Sequence, residues 1–342
     1  MSRAIETMHP AYFALVMATG IVSIACQLLD LRSIAAALLW ANVVFFVVLW
    51  VLTILRLVRF PNAVAADLMH HGRAVGFFTA VAGTCVLGSQ LLIVTAAPTI
   101  ARWLWLCGIV LWAVITYTVF AALTVKTEKP SLADGINGGW LVSVVAAQSV
   151  AVLGSQVAAG AGGNAPHLLL FCLAMWLGGG MLYIWIISLI FYRYTFFALS
   201  PSDLAPPYWI NMGAVAISTL AGSLLALSAR LSPLLQDLLP FIKGLTLMFW
   251  ATATWWIPML VILGFWRHVY RRFPLKYDPL YWGAVFPLGM YTVATFRLSQ
   301  AIDAPILMTI PRVFVYIALA AWMLTMTGLV RELLRAQTHG RG

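Results

Sequence analysis

Three basic residues, Lys243, Arg297 and Arg312, fall within apolar segments of this chain, and none of its ten acidic residues does. An ionisable group at membrane depth is costly and is usually kept for function, so this asymmetry limits the chemistry on offer. A cation pathway or a carboxylate proton relay needs acids inside the apolar segments. Here Glu6, Asp30, Asp67, Glu128, Asp134, Asp203, Asp237, Asp278, Asp303 and Glu332 all sit at segment ends or in loops. Cations in such a setting gather anions instead, which makes Lys243, Arg297 and Arg312 the candidate anion-selecting residues. Two of them have a plainer explanation as well. Lys243 follows Pro240 and Arg312 follows Pro311, helix-start positions from which a long side chain snorkels to the interface.

Enzyme signatures are missing from the chain: no H-E-x-x-H, no phosphate loop, no G-x-S-x-G and no carboxylate pair at membrane depth. No catalytic residue, cofactor or metal is therefore expected. Cys26, Cys85, Cys107 and Cys172 lie inside apolar segments without metal-type spacing and read as packing residues. His70 and His71, close to Asp67, read as interfacial residues beside a basic loop, and His167 as a helix-start residue after Pro166. Milder polarity runs in stripes. Positions i, i+4, i+7 and i+11 share a helix face, which groups Thr79, Gly83, Val86 and Gln90 on one helix and Asn211, Val215, Ser218 and Gly222 on another. Such stripes either line a conduit or let helices pack closely. With Thr19, Gln148 and Gly289 they make up the expected lining of a conduit.

The elements that carry these residues follow from composition. The 342 residues are 63% hydrophobic and only 9% charged, against about 25% charged in soluble domains. Apolar runs near 10–29, 33–58, 74–96, 100–125, 138–158, 166–192, 208–229, 240–266, 280–299 and 305–330 are each long enough to cross a bilayer. One membrane domain over 1–342 is expected, all-α, with ten transmembrane helices. The first run is too long for a signal-peptide core and is read as a helix. The net charge of +10 reflects membrane topology rather than nucleic-acid binding. Fourteen basic residues, among them Arg56, Arg59, Arg73, Arg271, Arg272 and Arg341, fall on one side and four, Arg32, Arg102, Arg230 and Arg297, on the other. Both termini are then cytoplasmic, in a cytoplasmic (inner) membrane.

Odd and even helices differ. In one 20-residue window per helix, the odd ones hold eight to eleven Gly, Ala, Ser, Thr, Asn and Gln residues and the even ones five to seven. Tryptophan is reversed, with ten in the even windows and three in the odd ones, Trp140, Trp209 and Trp282, all at helix starts. Small residues allow close helix approach and bulky ones suit lipid. The pattern therefore predicts five helical hairpins, odd helices inside around a pore and even helices in an outer ring. Val86-Leu87-Gly88-Ser89-Gln90 recurs as Val152-Leu153-Gly154-Ser155-Gln156, and Tyr208-Trp209 as Tyr281-Trp282, which adds to the repeat reading.

The run His9-Pro10-Ala11-Tyr12-Phe13-Ala14-Leu15-Val16-Met17-Ala18-Thr19-Gly20-Ile21 resembles the opening helix of the tellurite-resistance/dicarboxylate transporter family. Asn137-Gly138-Gly139-Trp140-Leu141 and Trp282-Gly283-Ala284-Val285-Phe286-Pro287-Leu288-Gly289 resemble its fifth and ninth helices. That family includes bacterial tellurite-resistance proteins, fungal malate permeases and sulfite efflux pumps, and plant guard-cell slow anion channels. The resemblance implies five hairpins about a quasi-fivefold axis, usually in a homotrimer with one pore per subunit. It also implies that Phe286, before Pro287, matches the phenylalanine that plugs the pore of characterised channels; a phenylalanine buried in packing is the other reading. Arg297 lies eleven residues on, about 20° beyond three full turns and about 16 Å further along the helix, so it shares the face of Phe286 unless Pro287 bends that register. The expected function is passage of small anions, such as a dicarboxylate, sulfite or tellurite, across the bilayer. A malate-type carrier whose substrate brings the proton and a non-transporting receptor or scaffold are the alternatives.

Overall fold

Inside a bilayer every backbone polar group must be satisfied by the chain itself, and the protein meets this with helices. A computed structural model describes residues 2–339, so Arg341, counted above with the basic side, lies outside the described residues. Ten long helices follow one another: α1 (Ala14–Leu28), α2 (Arg32–Arg59), α3 (Phe78–Thr95), α4 (Pro98–Val125), α5 (Val142–Ala158), α6 (Ala165–Phe196), α7 (Ile210–Leu227), α8 (Leu239–Phe265), α9 (Trp282–Ala301) and α10 (Thr309–His339). No strand occurs among the described residues. Taken with their opening turns, nine of the ten are long and apolar enough to cross a membrane. The exception is α9, whose last two turns carry Thr295, Arg297, Ser299 and Gln300.

The odd helices are short, 15 to 20 residues, and the even ones run from 27 to 32. The most apolar windows of α1, α3, α5 and α7 are 72 to 94% buried, whereas those of the even helices are 11 to 44% buried. In α9, Trp282, Phe286 and Tyr291 are fully buried. The odd helices pack on one another in the cyclic order α1, α3, α5, α7, α9 and back to α1, which closes an inner ring of five. Each also packs along the even helix that follows it. Small residues make the ring possible. A Cβ at Gly213 of α7 would come within 2.7 Å of Pro287 Cγ on α9. The even helices turn Trp40, Trp103, Trp185 and Trp255 outward, as lipid-facing surfaces do.

The helix ends differ from the sequence expectation in two ways. Each inner helix is opened by a 3-10 turn, at Pro10–Phe13, Val75–Phe77, Gly138–Leu141, Pro206–Trp209 and Pro279–Tyr281. The outer helices α6 and α10 extend beyond the expected ends at 192 and 330, because polar and basic residues beyond an apolar run can still propagate helix. A basic residue at the C-terminal end of four outer helices then ties down a connecting segment. Arg56 donates to Glu6 O at 3.0 Å and to Asp67 Oδ2 at 2.7 Å. Lys126 donates to Met69 O at 2.9 Å, Arg193 to Ala133 O at 2.8 Å, and Arg267 to Leu204 O. Cations at helix C-termini also oppose the negative end of the helix dipole.

Candidate functional site

Two cavities lie within the inner ring, each lined by residues of all five inner helices. The vestibule, at the helix starts, has a volume of about 230 Å³ and is lined in part by Ala14, Thr79, Val142, Ile210 and Gly283. The chamber, further along, is lined in part by Ile21, Val86, Val152, Ile217 and Met290. Its volume is about 20 Å³, about the space one water needs. The vestibule takes Leu280 from the turn that opens α9 and Gly283 from α9 itself, and the chamber takes Met290, Val293 and Arg297. Steps of three and four residues keep 283, 286, 290, 293 and 297 within an arc of about 80° on one helix face. By helix register Phe286 falls between the α9 residues of the two cavities; it is 1% exposed and is in the lining of neither.

The chamber walls are mostly aliphatic, and their polar groups are few. Arg297 donates from Nη1 to Gln300 Oε1 at 3.0 Å. No ion pair among the described residues involves it. Ser89 is 3% exposed and its Oγ has no hydrogen-bond partner, nor has Gln156 Oε1. Ser149 Oγ donates to Ala146 O at 2.8 Å. Ser89, Ser149 and Gln156 were not among the expected lining residues. The stripe Val142, Ser149, Val152 and Gln156 carried the signal, since its steps of seven, three and four residues share one face of α5.

Most of the expected lining faces elsewhere. Thr79 lines the vestibule, with its hydroxyl donating to Gly76 O at 2.7 Å. Thr19 accepts from Trp322 Nε1 of α10 at 3.0 Å, and Gln90 accepts from Asn42 Nδ2 of α2 at 2.7 Å. Gln148 donates to Trp176 O of α6 at 3.0 Å, and Ser218 O accepts from Trp176 Nε1 at 2.8 Å. Asn211 is fully buried; its backbone carbonyl accepts from Tyr183 of α6, while its side-chain Oδ1 and Nδ2 have no hydrogen-bond partner. A Cβ at Gly83 or Gly289 would meet α1, and one at Gly222 would meet Trp176 and Thr246. These positions make contacts that join inner helices to outer helices or to each other. Pro287 packs on Gly213. Lys243 is half-buried and Arg312 exposed, both near the starts of outer helices and in neither cavity, so of the three candidate cations only Arg297 reaches the ring interior.

The helix starts around the vestibule are held by polar caps. His9 Nδ1 accepts from Ala11 N at 3.0 Å, Asn137 Oδ1 from Gly139 N at 2.8 Å, and Asp278 Oδ1 from Leu280 N at 2.8 Å. Burial, helped by the nearby Arg73 charge, pushes the His9 imidazole down to about 4, so it stays neutral near pH 7 and can act as the acceptor. Beside it, Asp67 is gripped by Arg56 and Arg73. Burial alone would raise the Asp67 carboxyl, but hydrogen bonds from Arg73 and Arg56 outweigh it and hold the group below its usual range.

A ring of five buried helices enclosing a cation-bearing chamber, wrapped by five lipid-facing helices, defines a multi-pass membrane protein built to handle a charged solute. The family model described as voltage-dependent anion channel, SLAC1, matches residues 7–330, and the chain belongs to this family of anion transporters. An uncharacterised membrane protein of Mycobacterium tuberculosis is 40% identical over 160 residues, 47% of this chain and 80% of that protein. A protein named as a sulfite efflux pump in Trichophyton rubrum is 25% identical over 344 residues, covering 94% of this chain and 89% of the pump. An uncharacterised transporter of Methanocaldococcus jannaschii is 24% identical over 308 residues, 86% of each chain.

Proposed function

We propose that small anions cross the membrane through the centre of the inner ring, that Phe286 closes the way between vestibule and chamber, and that Arg297 selects for negative charge. What supports this reading is that one face of α9 supplies residues to both cavities and that the buried Phe286 falls between them in helix register. An aromatic ring there excludes ions and water alike, and Pro287, which lacks a backbone donor, gives the helix a place to bend. Two features of charge agree with it. All five inner helices start at the vestibule, so the positive ends of five helix dipoles face its interior. Beyond Phe286, the Arg297 guanidinium stays charged at any working pH.

The substrate class that fits is a small oxyanion. The name of the fungal relative makes sulfite a leading candidate, with dicarboxylates and tellurite as the wider family's other substrates. No carboxylate lines the chamber, so any proton that crosses travels on the substrate, as bisulfite or a monoprotonated acid. In our reading the vestibule faces the cytoplasm of an inner membrane, with both termini on that side, and three copies assemble, each with its own conduit. Purified protein in proteoliposomes, wild type and Phe286→Ala, tests the transport reading against chloride, nitrate, sulfite and malate. Anion efflux above that of empty vesicles is expected, faster in Phe286→Ala and slower for malate than for the compact ions. Efflux equal to that of empty vesicles for all four, in both proteins, contradicts it.

A further inference from the structure

We propose that the chamber is a coordination site for a single compact oxyanion, in which Ser89 and Gln156 supply donors that complete the one offered by Arg297. The proposal rests on the reading that anions traverse the ring, and it goes further by naming what holds them there and which anions are held best.

Three observations converge on the same small space. Ser89, Gln156 and Arg297 come from α3, α5 and α9 and line one cavity. Ser89 is 3% exposed, yet its hydroxyl has no partner, and Gln156 Oε1 is likewise buried without one. Buried polar groups are almost always satisfied, and leaving one unpaired is destabilising. Two such groups in one cavity with a guanidinium that bonds to Gln300 but has no carboxylate partner among the described residues mark a place where a ligand completes the hydrogen bonding. An anion also fits the donor types. The Ser89 hydroxyl rotates freely, and turning the Gln156 amide about its last bond puts its NH2 where the oxygen now stands. Ser149, whose hydroxyl already donates to Ala146 O, is not needed.

The donor geometry selects among anions. A guanidinium edge presents two parallel N–H groups that match two oxygens of one ion. A third oxygen is then left for donors on the other helices. A halide is a single sphere, so it offers the guanidinium edge one acceptor where an oxyanion offers two and gains less from paired donors. Ile21, Val86, Val152 and Met290 line the site and offer no hydrogen bonds, so an ion that enters replaces its lost hydration through these donors. The cavity volume of about 20 Å³ rules out a four-carbon dicarboxylate lying in it. The flexible Met290 side chain is the wall that yields to a nitrate-sized ion.

The test measures conductance of Phe286→Ala protein in planar bilayers against nitrate and chloride concentration, with and without Ser89→Ala or Gln156→Leu. Nitrate current is expected to saturate at lower concentration than chloride current. Each second substitution should raise the nitrate half-saturation roughly tenfold, the loss expected for one hydrogen bond to a charged group, with chloride changed far less; Ser89→Thr, which keeps a hydroxyl, should restore most of the effect. If Phe286→Ala conducts but its nitrate and chloride curves shift equally or not at all, the chamber proposal fails while the transport reading stands. If no anion current appears, the transport reading fails, and thermal stabilisation of the purified wild-type protein by nitrate decides the chamber alone. Stabilisation by nitrate above chloride that is lost in Gln156→Leu upholds the site, and equal shifts for the two salts overturn it. Should Ser89→Ala not fold, Gln156→Leu carries the same test.

Discussion

Arg297 and Lys243 are both cations within apolar sequence, yet their surroundings give them different work. Arg297 lines the chamber on the same α9 face as Met290 and Val293, whereas Lys243 is half-buried at the second turn of an outer helix. A charge inside a narrow, low-dielectric space acts far more strongly than one at an interface. Arg297→Gln is therefore expected to reduce anion flux about tenfold or more and to bring the anion-to-cation permeability ratio towards one, on the scale of a lost charge-assisted hydrogen bond. Lys243→Gln should leave both close to wild type. Paired flux and reversal-potential measurements on the two variants check this. Unchanged selectivity in folded Arg297→Gln would move selection to hydroxyl and backbone groups.

Between elements, the connecting segments are fixed by buried ion pairs as well as by the bilayer. Asp67, in the short helix Pro61–Leu68, joins Arg56 at the end of α2 to Arg73 ahead of α3. Removing one partner leaves Arg56, whose side chain is 4% exposed, with a buried charge unpaired, and Asp67→Asn is expected to destabilise the fold by about 3–5 kcal/mol. The sign of its pH dependence follows from the depressed Asp67 carboxyl. Its contribution is complete above the unfolded value of about 4 and is lost as pH falls through the lower folded value. Thermal melts of purified protein should show wild type losing stability in that acid range and Asp67→Asn losing less; parallel pH profiles would mean the cluster does not contribute.

At this same scale the inner and outer rings were legible in the sequence, and the facing of individual helices was not. The contrast between small and bulky residues records which helices meet other helices and which meet lipid, so composition alone separated α1, α3, α5, α7 and α9 from the rest. Rotation about each axis leaves a weaker trace, because an inner helix is buried on every side and has no polar face to mark the centre. The repeated pentapeptide shows the difference. Val86 and Val152 both line the chamber, and Gly88 and Gly154 both lie against outer helices. The last two positions diverge, with Ser89 in the chamber and Ser155 bonded to Ala151 O, and with Gln90 turned to Asn42 and Gln156 in the chamber. The repeat thus keeps the valine in the lining and the glycine in packing, and varies the role of its last two positions.

For the whole molecule, orientation and conduction are separate questions. We propose from the charge asymmetry that Arg59 and Arg272 face the cytoplasm; both side chains are exposed. With Cys107, the exposed native cysteine, replaced by Ala, Arg59→Cys and Arg272→Cys should react with an impermeant thiol reagent only after the membrane is opened. Labelling in intact cells would reverse the orientation.

The account as a whole turns on whether anions pass the centre of the ring where Phe286 stands. A planar-bilayer recording of Phe286→Ala in a potassium chloride gradient tests this most directly. The expected result is a conductance at least tenfold above wild type, about 1.4 kcal/mol or more in relative terms, with a reversal potential near the chloride equilibrium value. Conductance at the wild-type level from folded Phe286→Ala protein, or a reversal potential near the potassium value, would contradict it.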